Sequence, residues 1–206
     1  MHKLFGSQGC GSAVVEAVLE LLSVPYEMEM LEWGKASEWE ALKRINPLGQ
    51  VPTLVTQDGQ VLTESAAIVL WLLAAHRGNA LLPPHGSSAL AALYHWMVFI
   101  PANIYAAITV GDFPGRWVEG EAAQASLKEK STARVQDCWR MMEAAVAPSP
   151  YLLGGAMTAL DVYVAMVSRW RPGRAWFETN CPRMAGAVKL TEQHPVIEKV
   201  WARNFG

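Results

Sequence analysis

Hydrophobic and polar residues follow two different patterns along the chain. Over residues 2–76, short strand-like runs (HKLFG, YEMEML, PTLVT and QVLT) alternate with segments of helical periodicity, whereas from about Ser87 onward the pattern is helical throughout. The intervening stretch RGNALLPPHGS contains Gly and Pro residues that favour a linker. The sequence therefore predicts an α/β domain over residues 1–76, a linker over 77–86 and an all-α domain over 87–206.

The beginning of the chain predicts a βαβ unit. Val14, Val18 and Leu21 recur at helical spacing after Cys10, and Ser12 or the glycines before it can cap this first helix. A strand, a Gly-rich turn, a helix and another strand form a right-handed crossover, which places LFGSQGCGS at the carboxyl end of the first strand. Ligands favour that edge of an open sheet.

The stretch INPLGQVPTLVTQDGQVLTESAAIVLWLLAAH predicts a strand entered through a proline and followed by a hairpin. Pro52 cannot donate a ladder hydrogen bond, so it should start its strand and leave the backbone of Val51 available to an extended, peptide-like ligand. A cis bond between these two residues would turn the Val51 N–H and C=O outward. Asp58 and Gly59 suit a turn with positive φ, and the second strand is predicted to end at Thr63.

Glu64 and Ser65 fall at the cap and first turn of the next predicted helix. Unpaired N–H groups and the positive end of the helix dipole attract a carboxylate there, while Ser65 adds a donor and Glu64 can hold an ammonium group. The pair therefore suits an α-amino-acid head group, although ordinary helix capping is the alternative. Its position after the βαβ unit favours one site for a small peptide-like thiol or acid.

Charge and composition narrow the function classes. The formal net charge of -2 comes without a basic block, so the chain lacks the electrostatic footprint of a nucleic-acid binder. The longest unbroken apolar run, residues 66–75, is about half of a membrane-spanning helix, and the N-terminus lacks a signal-peptide core. We therefore expect a cytoplasmic protein that binds neither nucleic acid nor a membrane.

The three cysteines lie far apart and show no metal-ligand spacing, so we expect reduced thiols and no metal. Cys138 shares the spacing of one helical face with Val135, Trp139 and Met142, which predicts a core position. Cys181, just before a proline, is expected to be a surface or loop thiol.

Several motifs carry a resemblance to a known family. NPLGQVPTL followed by DGQVLTESAAIVLWL resembles the glutathione-binding half of the cytosolic glutathione S-transferase superfamily, and the resemblance extends over essentially the whole chain. LLGGAMTALDVYVAMV is similar to the family's buried capping-box helix, with Thr158 as the cap and Asp161 three residues later, and HPVIEKVWARNF is similar to its final helix. The resemblance implies a thioredoxin-like N-terminal domain of βαβαββα topology and an all-helical C-terminal domain.

The resemblance also implies a site for glutathione as co-substrate. Pro52 matches the family's cis-proline, and Val51 would pair its backbone with the cysteinyl unit of glutathione. Glu64 and Ser65 match the pair that binds the γ-glutamyl amino and carboxylate groups, and Gln50 would approach the glycyl carboxylate. The EWGKASEW loop offers three further side chains toward that end of the ligand: Trp33, Lys35 and Trp39.

At the family's catalytic position, this sequence does not have the usual residues. Counting back from SVPYE, the serine of theta-like, delta-like and zeta-like members falls on Gly9, and the cysteine of the beta-like class falls on Gly11. Cys10 is the first candidate for the catalytic residue and Ser12 the second. A helix N-terminus could lower the pKa of the Cys10 thiol and let it form a mixed disulfide with glutathione. Alternatively, Cys10 fills space or donates a hydrogen bond to the bound thiolate.

The activity implied by the resemblance is transfer of glutathione to a small hydrophobic electrophile or glutathione-dependent thiol–disulfide exchange. The alternative is a non-catalytic binding or protein-interaction module of the same fold, which the glycines at both catalytic positions keep open. A homodimer is also implied. The electrophile is expected between the domains, where a helix kinked at Pro101 offers three candidate side chains: Asn103, Tyr105 and Trp117.

Overall fold

The computed structural model describes the whole chain, residues 1–206, which divides into two compact units. The first unit comprises Met1–Leu82 together with Glu192–Gly206, and the second comprises Pro83–Thr191. This division differs from the expected limits of 1–76, 77–86 and 87–206 in one respect. The end of the chain belongs to the first unit, because the last helix packs on the first one.

The first unit is built on a four-stranded sheet in the order β2-β1-β3-β4. β1 pairs with β2 in parallel and with β3 antiparallel, and β3 and β4 form an antiparallel hairpin. The predicted βαβαββα topology is confirmed, and each predicted strand-like run contains one observed strand. The elements are β1 (His2–Gly6), α1 (Ser12–Leu21), β2 (Tyr26–Met30), α2 (Ala36–Lys43), β3 (Thr53–Val55), β4 (Val61–Thr63) and α3 (Ser65–Ala75).

Buried side chains cover both faces of this sheet. Leu4 and Leu54 are cross-strand partners and are fully buried. Phe5 points to the opposite face, because successive strand residues alternate, and there it forms a separate cluster with Leu31 and with Leu42 of α2. The sheet is thus a rigid layer whose ends can position side chains for a ligand.

One edge of the sheet collects several chain segments. Gly6 and Met30 are partners in the parallel pair, so the chain leaves β1 and β2 at the same edge. Thr53 pairs with Phe5 and with Thr63, so β3 begins and β4 ends at that edge too. The predicted end of the second hairpin strand at Thr63 is confirmed.

The second unit is helical, as predicted. Its helices are α4 (Ser88–Phe99), α5 (Ala106–Asp112), α6 (Glu121–Ala145), α7 (Ala159–Val167), α8 (Arg174–Asn180) and α9 (Pro182–Glu192), and the final helix of the chain is α10 (Pro195–Phe205). The expected interruption at Pro101 takes the form of a π-helical turn between α4 and α5, in which the N–H of Ala106 bonds the carbonyl of Pro101.

The N-terminus of α7 has the predicted capping box. The N–H of Thr158 donates to Asp161 Oδ2 at 2.8 Å, and the N–H of Leu152 donates to Asp161 Oδ1, also at 2.8 Å. Burial raises the pKa of Asp161, although these donors favour its charged form. The box therefore ties the preceding loop to the core of the second unit.

The two cysteines of the second unit are both fully buried. The prediction that Cys138 lies in the core is confirmed, together with its neighbours Val135, Trp139 and Met142. Of the prediction that Cys181 is a surface or loop thiol, the loop position is confirmed and the surface position is wrong. Cys181 lies between α8 and α9, where its side chain packs inward, and burial raises its pKa to about 12.

The segment Ser88–Asp112 is long and apolar enough to cross a membrane by length and composition alone. Of its 18-residue apolar window, 33% is buried inside the protein. Core helices of soluble proteins pass the same test. The expectation of no membrane partner stays a prediction.

Candidate functional site

The candidate residues of the first unit lie at the sheet edge described above, whereas Asn103, Tyr105 and Trp117 belong to the second unit. Cys10 is in the β1–α1 loop, residues 7–11, which leaves the end of β1. Val51 and Pro52 directly precede β3, and Glu64 and Ser65 directly follow β4. Because the β3 and β4 ends are adjacent in the sheet, the last two pairs of residues are neighbours in space.

The segment before β3 presents main-chain atoms that form no hydrogen bond within the protein. The Val51–Pro52 peptide bond is cis, Pro52 is buried, and the N–H and C=O of Val51 have no internal partner. The carbonyl of the preceding Gln50 is held instead by Asn46 Nδ2 at 3.0 Å and by Thr53 Oγ1 at 2.8 Å. Val51 is therefore fixed in place with its polar main chain available.

Asn46 is a further residue of the candidate site, and the sequence motifs did not indicate it. It is 4% exposed, and its Nδ2 also donates to Thr53 Oγ1 at 3.0 Å, while its Oδ1 accepts from the N–H of Leu48 at 3.2 Å. An Asn followed by a proline commonly starts a turn, and this was the available signal. Its amide holds both ends of the loop that precedes Val51.

Glu64 adopts an unusual backbone conformation at the start of α3. It is the N-cap residue with φ of 66° and ψ of 108°, and positive φ is uncommon for a residue with a side chain. Its side chain is exposed, whereas Ser65 is 5% exposed. Strained backbone of this kind persists only where the surrounding structure holds it in place. It clusters at ligand sites.

The side chains expected near the glycyl end of a ligand differ in whether they are already bonded within the protein. Gln50 is exposed. Trp33 stacks on Trp39 with 4.9 Å between ring centroids and donates its indole N–H to the Gln8 carbonyl at 3.3 Å. Lys35 is in an ion pair with Glu38. Of these side chains, Gln50 alone makes no hydrogen bond or ion pair within the protein, and it stays the first candidate for the glycyl end of a tripeptide.

The Cys10 thiol is partly buried, and burial raises its pKa to about 11. Of the roles left open for Cys10, burial favours the hydrogen-bond donor over the nucleophile, and the catalytic role of Cys10 stays a prediction. At neutral pH the side chain is a neutral thiol. Such a group can donate a weak hydrogen bond but is a poor nucleophile.

Ser12 is fully buried, and its hydroxyl is already bonded. Ser12 Oγ accepts from the N–H of Ser7 at 3.2 Å and donates to the carbonyl of Ser7 at 3.3 Å. A side chain at Gly6 would come within 2.8 Å of Ser12 Oγ, so the glycine is needed for this approach. Gly11 is the N-cap of α1, and Ser12 instead braces the β1–α1 loop from inside.

An open cleft of about 960 Å³ lies beside the β1–α1 loop in the first unit. Its lining includes Gln8 and Trp33, together with Glu16, Arg203 and Asn204 from α1 and α10. No sequence motif indicates these last three residues. A carboxylate inside the apolar run AVVEAVLELL was the signal for Glu16, whereas its partners are far away in sequence.

No group of three or more His, Cys, Asp or Glu side chains that could hold a metal ion occurs in the chain.

Sequence and structure comparisons identify the family. The model of the glutathione S-transferase N-terminal domain matches residues 4–80. The Escherichia coli K12 protein YncG, described as an uncharacterized GST-like protein, is 31% identical over 206 residues, covering 99% of this chain and 98% of its own. A glutathione S-transferase of Emericella nidulans, stcT, is 25% identical and covers 81% of this chain and 80% of its own.

The structural comparison agrees. The crystal structure of a glutathione transferase homologue from Sulfitobacter, with bound glutathione, has a TM-score of 0.88, 21% sequence identity and 98% coverage of both chains. At this identity the likeness shows the fold, which is the one that the family resemblance of the sequence implied. Together with the full-length similarity to YncG, it establishes that the chain belongs to the glutathione S-transferase superfamily.

Proposed function

We propose that the protein binds glutathione at the sheet edge and transfers it to a small hydrophobic electrophile. The observation that carries this proposal is the pairing of an available Val51 main chain with the strained Glu64 at the neighbouring strand end. Partner Cα atoms in an antiparallel ladder are about 4.5–5.5 Å apart, which suits adjacent units of one short peptide.

Each part of glutathione has a matching group in this arrangement. The main chain of Val51 pairs with the cysteinyl unit, as a short antiparallel ladder does. Ser65 and the N-terminus of α3 bind the γ-glutamyl carboxylate, and Glu64 binds its ammonium group. Gln50 reaches the glycyl carboxylate. The cysteinyl sulfur is thereby directed toward the β1–α1 loop, which leaves the same edge of the sheet.

The chemistry follows from this placement. Glutathione loses its thiol proton to solvent, and its sulfur attacks the electrophilic carbon. A sulfur–carbon bond forms while the leaving group departs with its electron pair. Cys10, as a neutral thiol, donates a hydrogen bond to the glutathione thiolate and is not itself the nucleophile, which favours transfer over disulfide exchange through Cys10.

A second function is favoured by a specific observation. Neither Gly9 nor Gly11 supplies a side chain, and the Ser12 hydroxyl is bonded to Ser7. A protein that binds glutathione without activating it, and serves as a binding or interaction module, is consistent with this arrangement. Tight glutathione binding with no transfer to chlorodinitrobenzene would support this second function over the first.

Calorimetric titration with glutathione tests the site. Replacing Glu64 and Ser65 together by Ala should weaken binding about ten- to a hundredfold, because charge-assisted hydrogen bonds to the head group contribute about 1.5–3 kcal/mol. Ser87→Ala is the matched control, since Ser87 caps α4 in the second unit and its loss should leave binding unchanged. Unchanged affinity in the double variant would exclude this site.

We further propose a homodimer, as the resemblance implies. Exposed apolar side chains on α4, Tyr94 and Val98, support this proposal, because a dimer would remove them from water. Light scattering at micromolar concentration should give about twice the chain mass. A monomer under those conditions would contradict the proposal.

A further inference from the structure

A cluster of polar side chains joins α1 to α10 beside the β1–α1 loop, entirely within the first unit. Glu16 lies at its centre and is 3% exposed, so its carboxylate needs partners to offset the loss of water. We call this group the Glu16 cluster; its members are Glu16, Glu20, Tyr26, Arg203 and Asn204.

Both oxygens of Glu16 hold the end of α10. Arg203 Nε donates to Glu16 Oε1 at 2.8 Å, and Asn204 Nδ2 donates to Glu16 Oε2 at 2.7 Å. Arg203 Nη2 also donates to Glu20 Oε1 at 3.0 Å. Two consecutive residues near the C-terminus are therefore fixed against α1 by charge-assisted bonds, which are the stronger kind.

The main chain of these same two residues holds the β1–α1 loop. The N–H of Gly9 donates to the carbonyl of Asn204 at 2.9 Å, and Gln8 Nε2 donates to the carbonyl of Arg203 at 3.4 Å. Gly9 has a φ of 72°, a conformation that glycine adopts without a steric penalty. The residues directly before Cys10 thus take their position from the end of α10.

The side-chain amide of Asn204 makes its hydrogen bonds in this cluster through its nitrogen. It donates to Glu16 and to the carbonyl of Val200, whereas Oδ1 is buried and has no hydrogen-bond partner in the protein.

Tyr26 is the remaining member of the cluster, and its hydroxyl donates to Glu20 Oε1 at 3.0 Å. Burial, followed by the Glu16 carboxylate, raises the pKa of Tyr26, so its hydroxyl stays a donor.

We propose that the Glu16 cluster positions the β1–α1 loop, so that Glu16, Arg203 and Asn204 are positioning residues for Cys10. The order of contacts runs from Glu16 to the side chains of Arg203 and Asn204, and from their carbonyls to Gln8 and Gly9. The catalytic consequence rests on the proposed function. The placement of Cys10 is independent of the proposed function, and it can be measured without glutathione.

The first experiment measures the rate at which iodoacetamide alkylates Cys10 in the full-length protein without glutathione. Glu16→Gln and Asn204→Ala should each raise this rate about tenfold at fixed pH, because a displaced loop returns the thiol to water and lowers its pKa. Cys138 and Cys181 are fully buried and serve as internal references.

A matched control separates loop positioning from general loosening. Glu143 is a buried carboxylate of the second unit that accepts from the main chain and side chain of Arg183. Glu143→Gln should lower the melting temperature but leave Cys10 alkylation unchanged. Arg203→Ala should behave like Glu16→Gln. Arg203→Lys should raise the rate less, because it keeps the charge but its single ammonium cannot reproduce both the Nε and the Nη2 contact.

The second experiment measures transfer of glutathione to chlorodinitrobenzene. Glu16→Gln should lower kcat about tenfold, leave KM for glutathione within about twofold and move the midpoint of the pH–rate profile upward, because a displaced donor stabilises the thiolate less. A merely structural role would lower the concentration of active enzyme without moving the pH midpoint.

Unchanged Cys10 alkylation in Glu16→Gln, Asn204→Ala and Arg203→Ala would overturn this inference. An equal increase in Glu143→Gln would overturn it too, since the effect would then be general loosening. If the unmodified protein does not bind glutathione, the proposed function fails, and the alkylation rates alone decide the inference about the loop.

Discussion

The two sides of the sheet edge are held in different ways. On the hairpin side, Val51 is fixed by Asn46 and Thr53, which are within a few residues of it. On the loop side, Gly9 is bonded to Asn204, almost the whole length of the chain away. The hairpin side is therefore a local structure that a short motif can specify, whereas the loop side combines the local Ser7–Ser12 contacts with a bond to α10, which requires α10 to pack on α1.

The two sides also differ in what they expose. Gln50 and Glu64 are exposed, and Val51 has an available main chain, so the hairpin side can meet a peptide backbone without rearrangement. Cys10 is partly buried and Ser12 fully buried. Under the proposed function, the hairpin side supplies binding, and the loop side limits the reactivity of Cys10.

The largest expected effect concerns the reactivity of Cys10. Its pKa of about 11, against an ordinary value of 9.0, leaves about a hundredfold fewer thiolates at neutral pH. Alkylation of Cys10 in the unmodified protein should therefore be about a hundredfold slower than in denaturant. Because the thiol stays mostly protonated below its raised pKa, the thiolate fraction and the alkylation rate should rise about tenfold per pH unit from pH 7 to about 10.

A rate that levels off near pH 7 or 8 would contradict this prediction. It would show a lowered pKa and return Cys10 to the role of nucleophile in disulfide exchange. The denatured protein, in which all cysteines are solvated, provides the reference rate.

The next effect in size tests the hairpin side through Asn46. Asn46→Ala should lower the free energy of unfolding by about 2–3 kcal/mol, because the buried Asn46 amide makes several hydrogen bonds that are lost at once. Glutathione affinity should fall about tenfold as the Val51 segment loses its anchor. Denaturant unfolding and calorimetry measure the two quantities.

Thr56→Ala is the matched control at the far end of the same hairpin. Thr56 donates to Asp58 Oδ1 at 2.6 Å and accepts from the N–H of Gln60 at 2.9 Å, so its loss should reduce stability. Glutathione affinity should not change. An equal loss of affinity in both variants would mean that the hairpin acts as a unit and that Asn46 has no special role.

The same comparison explains which features the sequence could predict. The strands, the hairpin ending at Thr63 and the capping box of Thr158 and Asp161 depend on residues close together in the chain, and all are observed. Turn and cap geometry is determined by local backbone chemistry. Patterns of this kind therefore locate the hairpin side of the candidate site.

Features that depend on burial were harder to predict. The sequence left both a lowered pKa and a plain hydrogen-bond donor open for Cys10, because its burial depends on tertiary packing that no neighbouring residue reveals. Cys181 was assigned to a surface or loop because of the proline after it, although its side chain packs inward. Glu16 finds its partners in α10, and only the fold brings them together.

The smallest expected effect separates strain from binding at Glu64. Its positive φ of 66° is unfavourable for a residue with a side chain, and Ser23, in the exposed turn after α1, has a similar φ of 55°. Glu64→Gly and Ser23→Gly should each raise the free energy of unfolding by about 0.5–1 kcal/mol, because glycine relieves the strain at some cost in chain entropy.

The two glycine variants should then differ in glutathione binding. Glu64→Gly should lose about tenfold in affinity, since the carboxylate that faces the ligand ammonium is gone, whereas Ser23→Gly should bind as the unmodified protein does. Stabilisation by Ser23→Gly combined with destabilisation by Glu64→Gly would show that the Glu64 carboxylate supports the fold instead. Stabilisation by both, with affinity lost only in Glu64→Gly, would show that the protein keeps a strained residue at the hairpin side for the ligand.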